Sequence, residues 1–425
     1  MFKKTIDLLN YIEGKKGTIA EPSLNNMKKL IKLFDISNNL KIIHVAGTNG
    51  KGSVVAYINN VLLNNKYNVG KFVSPYISTF NERICYNDNP ISDADLLFFG
   101  NLIIEKYPLI EKEGLKTPSF FEFITLLALM YFSSFKKIDF VILEVGLGGI
   151  YDPTNVVNPI LTIITSISFD HMHILGNSLL EIADNKLGIL KKNIPLITLD
   201  NPNINDLVIR KANNSTSEVI LVKQEDIKET KTSFTKTTFR YKNKFYCLSM
   251  LGKHQAENAC IAIEALNKLI NDGFIKVKKI EKYLHKTKWA GRLELINKRP
   301  IMIVDGAHNY DAIVKLGTFI NSVKNKKEVR VIFAVSNDKE IEKMVLEIEK
   351  YADQIIFTKI NNLRSADPTI LFKYSTHENK SFELDLEKIY IKIKKDSKFI
   401  NIFCGSLYFV GEIKKYIFKK VIMLI

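Results

Sequence analysis

A chain of 425 residues, 46% of them hydrophobic, with mean hydropathy near zero, has core enough for two or three soluble domains. It has no uninterrupted apolar run of the roughly 18 residues a spanning helix needs, and Asp7, Asn10 and Glu13 interrupt any export signal; a cytoplasmic protein without a membrane partner is expected. The net charge of +16 favours anionic partners, but the lysines lie in scattered pairs such as Lys136-Lys137 and Lys326-Lys327 rather than on one basic–aromatic face, which speaks against nucleic acid.

A helical pattern over 23–35 precedes the run Lys41-Ile42-Ile43-His44-Val45, which reads as a buried parallel strand over 41–46. Residues 46–53 follow as Ala-Gly-Thr-Asn-Gly-Lys-Gly-Ser. Gly47, Gly50 and Gly52 let backbone N–H groups turn toward an anion. Lys51 adds a point charge for terminal phosphates, and a helix over 54–65 points its positive end at them. Gly52 departs from the usual phosphate-loop spelling by separating Lys51 from Ser53.

Further strands are expected at 69–73, 138–146, 160–168 and 194–199, with helices at 93–106, 120–134 and 178–191. Glu144 ends one strand and His171 follows another, in Ser168-Phe169-Asp170-His171-Met172-His173. Ligands of open α/β sheets gather outside such strand ends. A carboxylate in so apolar a run as Val141–Val145 is costly unless paired or metal-bound, so Glu144 is a candidate Mg²⁺ ligand. His171 is a candidate metal ligand by the same location; no third His or Cys nearby supports zinc. Ser119 and Glu122 fit a capping box. Phe120 and Phe121 suit either core packing or stacking on a heterocycle. Lys186, by itself, reads as a solvated helix lysine.

Residues 200–250 combine polar tracts with the short runs Val219–Val222, Thr237–Tyr241 and Phe245–Met250, expected to form a small antiparallel meander. A helix returns at 254–271. After Trp289-Ala290-Gly291-Arg292 a second series begins: strands at 301–304, 329–335, 354–358 and 399–404, and helices at 310–323, 340–350 and 408–419. Val421–Ile425 reads as a core-packing end. The fold expected is α/β: a doubly wound phosphate-loop ATPase domain with an antiparallel addition (residues 1–295), then a smaller Rossmann-like domain (296–425). Asn258 near a helix start and Asp305 at a strand end are placed to line the cleft between them. The cysteines Cys85, Cys247, Cys260 and Cys404 form no C-x-x-C pair and read as free thiols.

These segments resemble the folylpolyglutamate synthase/dihydrofolate synthase family of the Mur ligase superfamily, from the helix near residue 23 to Gly411. The resemblance rests on His44–Ser53, Leu143–Val157, Asp170-His171 with Leu175-Gly176, Gly252 to Ala259, Gly291-Arg292-Leu293-Glu294, Asp305-Gly306-Ala307-His308-Asn309 and Gly405-Ser406-Leu407-Tyr408, all in family order. It implies an ATP-dependent ligase that joins L-glutamate to dihydropteroate, to reduced folates or to both, through an acyl phosphate. Carried over by position, Gly47, Thr48, Asn49, Gly50, Lys51, Gly52 and Ser53 hold the phosphates. Ser74, Glu144 and His171 hold Mg²⁺. Asn258, Arg292 and Asp305 contact ATP, with Arg292 near the transferring phosphate. His308 and Ser406 meet glutamate, and Phe121, Glu122 and Asp152 lie near the pterin. Lys51, Lys186, Arg292 and His308 would be the catalytic set. Lys186 aligns with a lysine that the family carbamylates, which needs a neutral amine. A monovalent cation and a monomeric state are also implied.

Some positions depart from the family pattern. Asn185 and Leu187 replace a common Glu and Ala beside Lys186. Ile150 and Pro153 replace a common Arg and Ala, removing a cation beside the pterin site. Two other classes compete. A peptidoglycan-type Mur ligase acting on another carboxylate would carry a domain of roughly a hundred residues before the loop, where 46 residues precede Gly47. A basic phosphate-loop ATPase on nucleic acid would need the clustered basic face that the lysine pairs do not form.

Overall fold

The computed structural model describes residues 1–15, 23–36, 39–396 and 398–422. Among them three sheets form. The first contains β1 (Ile42–Ala46), β2 (Val69–Phe72), β3 (Ile84–Tyr86), β4 (Asn89–Pro90), β5 (Phe140–Glu144), β6 (Leu161–Ile164), β7 (Leu196–Leu199) and β8 (Val219–Val222). Their order is β4-β3-β2-β5-β1-β6-β7-β8. From β2 to β8 neighbouring strands run parallel. The β3–β4 hairpin turns back antiparallel at one edge, through Asn87 and Asp88, both at positive φ, as a tight hairpin requires. The β-branched residues of β1 and β5 are buried along their whole length, as in a parallel sheet covered on both faces.

Val219–Val222 departs from the expected meander. It pairs in parallel with β7 and extends the main sheet. The crossover is the helix Asn205–Asn214, which buries Leu207, Val208 and Ala212 and exposes the polar residues that suggested a loop. The meander is instead β9 (Ile227–Thr232), β10 (Thr237–Tyr241) and β11 (Lys244–Leu248). Phe239, Tyr241, Tyr246 and Leu248 join one core with the helices Lys51–Asn64 and Lys253–Asn271.

The third sheet comprises β12 (Glu294–Lys298), β13 (Ile301–Val304), β14 (Glu328–Phe333), β15 (Gln354–Phe357), β16 (Lys380–Phe382) and β17 (Phe399–Cys404), in the order β12-β13-β17-β14-β15-β16. All pairs are parallel except the β12–β13 hairpin. Helices Tyr310–Val323, Ile341–Glu349 and Pro368–Tyr374 bury apolar residues in one core, and Leu386–Lys395 and Leu407–Ile422 in another. The side chains of Val421–Ile425 lie outside the described residues. The carboxyl ends of β1, β5, β13 and β17 lead into loops that meet across one cleft. All four cysteines are free, and no helix among the described residues is long and apolar enough to cross a membrane.

Arg330 is the largest fully buried side chain, in β14. It donates to Gln354, to Asn401 Oδ1 at 3.0 Å and to Asp396 Oδ2 at 3.0 Å, and lies over the Phe399 ring. Arg330→Met strands these acceptors, so chemical denaturation is expected to show a loss of about 2 kcal/mol while the KM for ATP stays unchanged.

Candidate active site

The loop after β1 is fixed by hydrogen bonds to the loop after β6. Thr48 N donates to Ser166 O at 2.7 Å, and Thr165 Oγ1 donates to Asn49 O at 2.7 Å. Gly50 sits at φ +93°, and a Cβ there would come within 2.3 Å of Asn258 Oδ1. The helix that follows begins at Lys51, earlier than its apolar pattern suggests. Gly52 is therefore a first-turn residue. A Cβ on it would stand 2.7 Å from the Trp289 indole nitrogen, so the extra glycine makes room for a side chain from far along the sequence. Lys51 Nζ curls back to Gly47 O at 3.1 Å and Thr48 O at 3.2 Å. Ser53 Oγ accepts from Gln255, whose amide oxygen accepts from Asn258.

Glu144 ends β5, buried. Among the described residues it accepts only from Ser74 N, at 3.4 Å. Burial pushes its carboxyl up to about 7 against the pull of Lys51 and Arg292. A buried carboxylate with open lone pairs beside a hydroxyl-bearing serine suits a hard cation such as Mg²⁺. His171 adopts a left-handed backbone at φ 49°, and burial lowers its imidazole to about 4, so it is neutral near pH 7. Its Nε2 faces Lys339 Nζ at 3.1 Å. In this arrangement Glu144 and Ser74 fit a metal, whereas the Nε2 lone pair of His171 is engaged by an ammonium. No cluster of three or more His, Cys, Asp or Glu side chains suited to a metal occurs among the described residues.

Asp170 joins the two halves. It accepts from Lys339 at 2.7 Å and from Asn309 Nδ2 at 3.0 Å, and lies 3.5 Å from His308 Nε2. Burial works to raise its carboxyl, but His308, Lys339 and His171 outweigh it and hold it well below the usual carboxylate range. Asn49 adds hydrogen bonds to Asn309 and, at 2.9 Å, to Asp311. Asp305, the residue after β13, accepts from Leu293 N at 2.7 Å and Ala307 N at 2.8 Å, which fixes the turn carrying Arg292. Lys186 is 4% exposed and donates to Gly47 O at 3.1 Å. Burial, helped by Lys51, lowers its amine to about 7; the solvated lysine of the isolated sequence pattern is in fact a cleft residue.

One cavity is lined by Gly47 to Ser53, Ser74, Glu144, His171, Lys186, Asn258, Arg292, Asp305 and His308. Four expected residues lie off it. Phe121 packs over Gly146 and Phe72. Glu122 caps its own helix through Ser119. Asp152 is buried and bound to Leu147 N and Thr154. Ser406 accepts from Tyr408 N at the start of the last helix. Sequence reasoning passed over Lys339, whereas Gln255 lies in the Gly252 to Ala259 segment expected to line the cleft and does line it. Lys339 follows β14, and its only signal is that position after a parallel strand.

The sequence matches the Mur ligase middle domain model over residues 45–266, more than half of the chain, which places it in the Mur ligase superfamily. A second model, the dihydrofolate synthetase C-terminal domain, matches residues 292–416. A dihydrofolate synthase/folylpolyglutamate synthase of Bacillus subtilis is 36% identical, covering 98% of this chain and 99% of that protein. A dihydrofolate synthetase of Saccharomyces cerevisiae is 28% identical over 92% of this chain and 97% of its own. The crystal structure of a folylpolyglutamate synthase from Thermotoga maritima superposes with a TM-score of 0.82 at 28% identity, covering 97% of this chain and 96% of that one. The chain belongs to the dihydrofolate synthase/folylpolyglutamate synthase family, as its motifs imply.

Alanine in place of a helical glycine normally stabilises by about 1 kcal/mol. Here Gly52→Ala must displace Trp289, so steady-state turnover is expected to fall at least about tenfold. Adding Trp289→Phe should restore part of it.

Proposed function

We propose that the cleft ligates L-glutamate to the carboxylate of dihydropteroate, of a reduced folate or of both, with ATP as the phosphoryl donor. The observation that carries this is the convergence of Lys51, Arg292 and the buried Glu144 at the mouth of a phosphate loop, with groups from the second half of the chain opposite. A relative in the same fold, solved as an AMPPCP–folate complex at 25% identity and a TM-score of 0.85, supports both ligand classes.

A carboxylate is a poor electrophile, and phosphorylation gives it a leaving group. The loop amides, Thr48, Asn49, Lys51 and Ser53 hold the phosphates, while Asn258 and Asp305 orient the nucleotide. Arg292 offsets charge on the transferring phosphoryl group as the acceptor oxygen attacks it. Glu144 and Ser74 would hold Mg²⁺, which supplies further charge neutralisation. His308, whose Nδ1 lies 2.8 Å from Gly306 O, and Ser406, at the positive end of a helix, receive glutamate. Its amine attacks the acyl carbon, the tetrahedral intermediate collapses, and phosphate leaves. Phe121, Glu122 and Asp152 shape the acceptor side through the packing and loop bonds described above. β12 (Glu294–Lys298) pairs with β13 in the sheet of the glutamate domain, so the nucleotide domain ends ahead of it, near residue 293 rather than at the expected 295, and the glutamate domain runs from there to 425.

Lys186 is the candidate carbamylated residue, because a buried amine near 7 has a large neutral fraction in the cell's pH range. The neutral fraction rises with pH, so a ¹³C-carbamate resonance from labelled bicarbonate is expected to grow as pH passes upward through about 7 and to vanish in Lys186→Arg. A resonance unchanged in the variant would exclude this site.

ADP release is expected only when L-glutamate, Mg²⁺ and either dihydropteroate or a reduced folate are all present. No turnover with either acceptor would refute the ligase assignment. Lys51→Ala is expected to lower kcat by about a hundredfold or more; normal turnover would overturn its role.

A further inference from the structure

Arg83 is a buried cation that forms no ion pair among the described residues; Glu13 and Glu144 act on it only from beyond ion-pair distance. It ends the short helical turn Phe80–Arg83 and is 5% exposed. It donates no hydrogen bond to any described residue, and its Nε is buried without an acceptor. The adjacent Glu82 does not serve, because its oxygens accept from the backbone of Ile77 at 3.0 Å, Ser78 at 3.2 Å and Thr79 at 3.1 Å. Instead, the rings of Tyr76, Phe80 and Phe120 surround the guanidinium carbon at 5.1, 5.4 and 5.7 Å. Ring faces favour the cation but leave a planar row of N–H donors unsatisfied, and such donors are costly to bury. The ligand that completes them is a planar anion held by two parallel hydrogen bonds, which is a carboxylate.

The surroundings tie this carboxylate to the reacting centre. A cavity of about 200 Å³ runs from Glu144 and Arg292 to Tyr76 and Leu407, and the Tyr76 ring meets Tyr408 of the second half edge-on at 6.3 Å. Arg83 therefore stands beside the reacting centre and does not line it. A dihydropteroate acceptor carries a single carboxylate, the one that reacts. An acceptor that already ends in glutamate carries two, of which one reacts and one does not.

We infer that Arg83 binds the unreacted carboxylate of a glutamate-terminated acceptor, and so favours glutamylated over unglutamylated substrates. This rests on the ligase function proposed above.

The test compares wild-type KM for tetrahydrofolate monoglutamate and for its α-carboxamide, with dihydropteroate as a third acceptor. The wild type should show a KM for the amide at least about tenfold higher than for the acid. In Arg83→Met the two should agree within about threefold, and Arg83→Lys should restore part of the difference. The wild-type comparison needs no variant, so it decides even where Arg83→Met fails to fold. Equal wild-type values, undiminished discrimination in Arg83→Met, or a wild type that uses dihydropteroate alone would each overturn the Arg83 assignment and leave the ligase function standing. A wild type that turns over neither acceptor would refute the ligase function itself.

Discussion

Glu144 is a carboxylate at the end of an apolar strand, and the rest of the cleft is organised around the charge it carries. Burial alone would protonate it, and its carboxyl is indeed raised to about 7. What opposes protonation is chiefly a pair of cations far apart in the sequence, Lys51 on the first turn after β1 and Arg292 just before β12, with smaller help from Ser74 N and Arg83. Neither strand could tolerate such a group in mid-run. At the carboxyl edge of the sheets, where backbone turns leave the core, the three charges meet in the space a phosphorylated carboxylate needs.

The meeting of the two halves follows from polar contacts of short range. Asn49 reaches Asn309 and Asp311, and Asp170 takes Lys339 and Asn309. Both Asp170 and Lys339 side chains are 8% exposed, so this pair is far less screened than a surface ion pair. The loops after β1 and β6 are thereby held against those after β13 and β14, which aligns the phosphate loop with the groups proposed for glutamate.

Much of this was legible in the sequence because parallel strands buried on both faces leave continuous apolar runs, and because glycine-rich turns have few alternatives. β1, β5, β13 and β17 were readable for that reason. The helix Asn205–Asn214 was not, since only three of its residues are buried and its polar face resembles a loop. β9 was hidden by the charged residues of Lys228–Lys231, whose side chains lie largely outside the core. At the site, spacing pointed to Lys51 and Glu144. It could not reveal why Gly52 is a glycine, because Trp289 is remote in the chain. It could not mark Lys339 or Arg83 either: a lone cation has no pattern until the fold surrounds it.

The central claim is that the cleft activates a carboxylate by phosphoryl transfer. The most direct measurement uses an acceptor with ¹⁸O in its reacting carboxylate, incubated with enzyme, ATP, Mg²⁺ and L-glutamate, with phosphate analysed by mass. An acyl phosphate must pass one carboxylate oxygen to the departing phosphate, so one ¹⁸O per inorganic phosphate is expected, with ADP as the nucleotide product. Amide formation with unlabelled phosphate, or with AMP and pyrophosphate, would contradict the account.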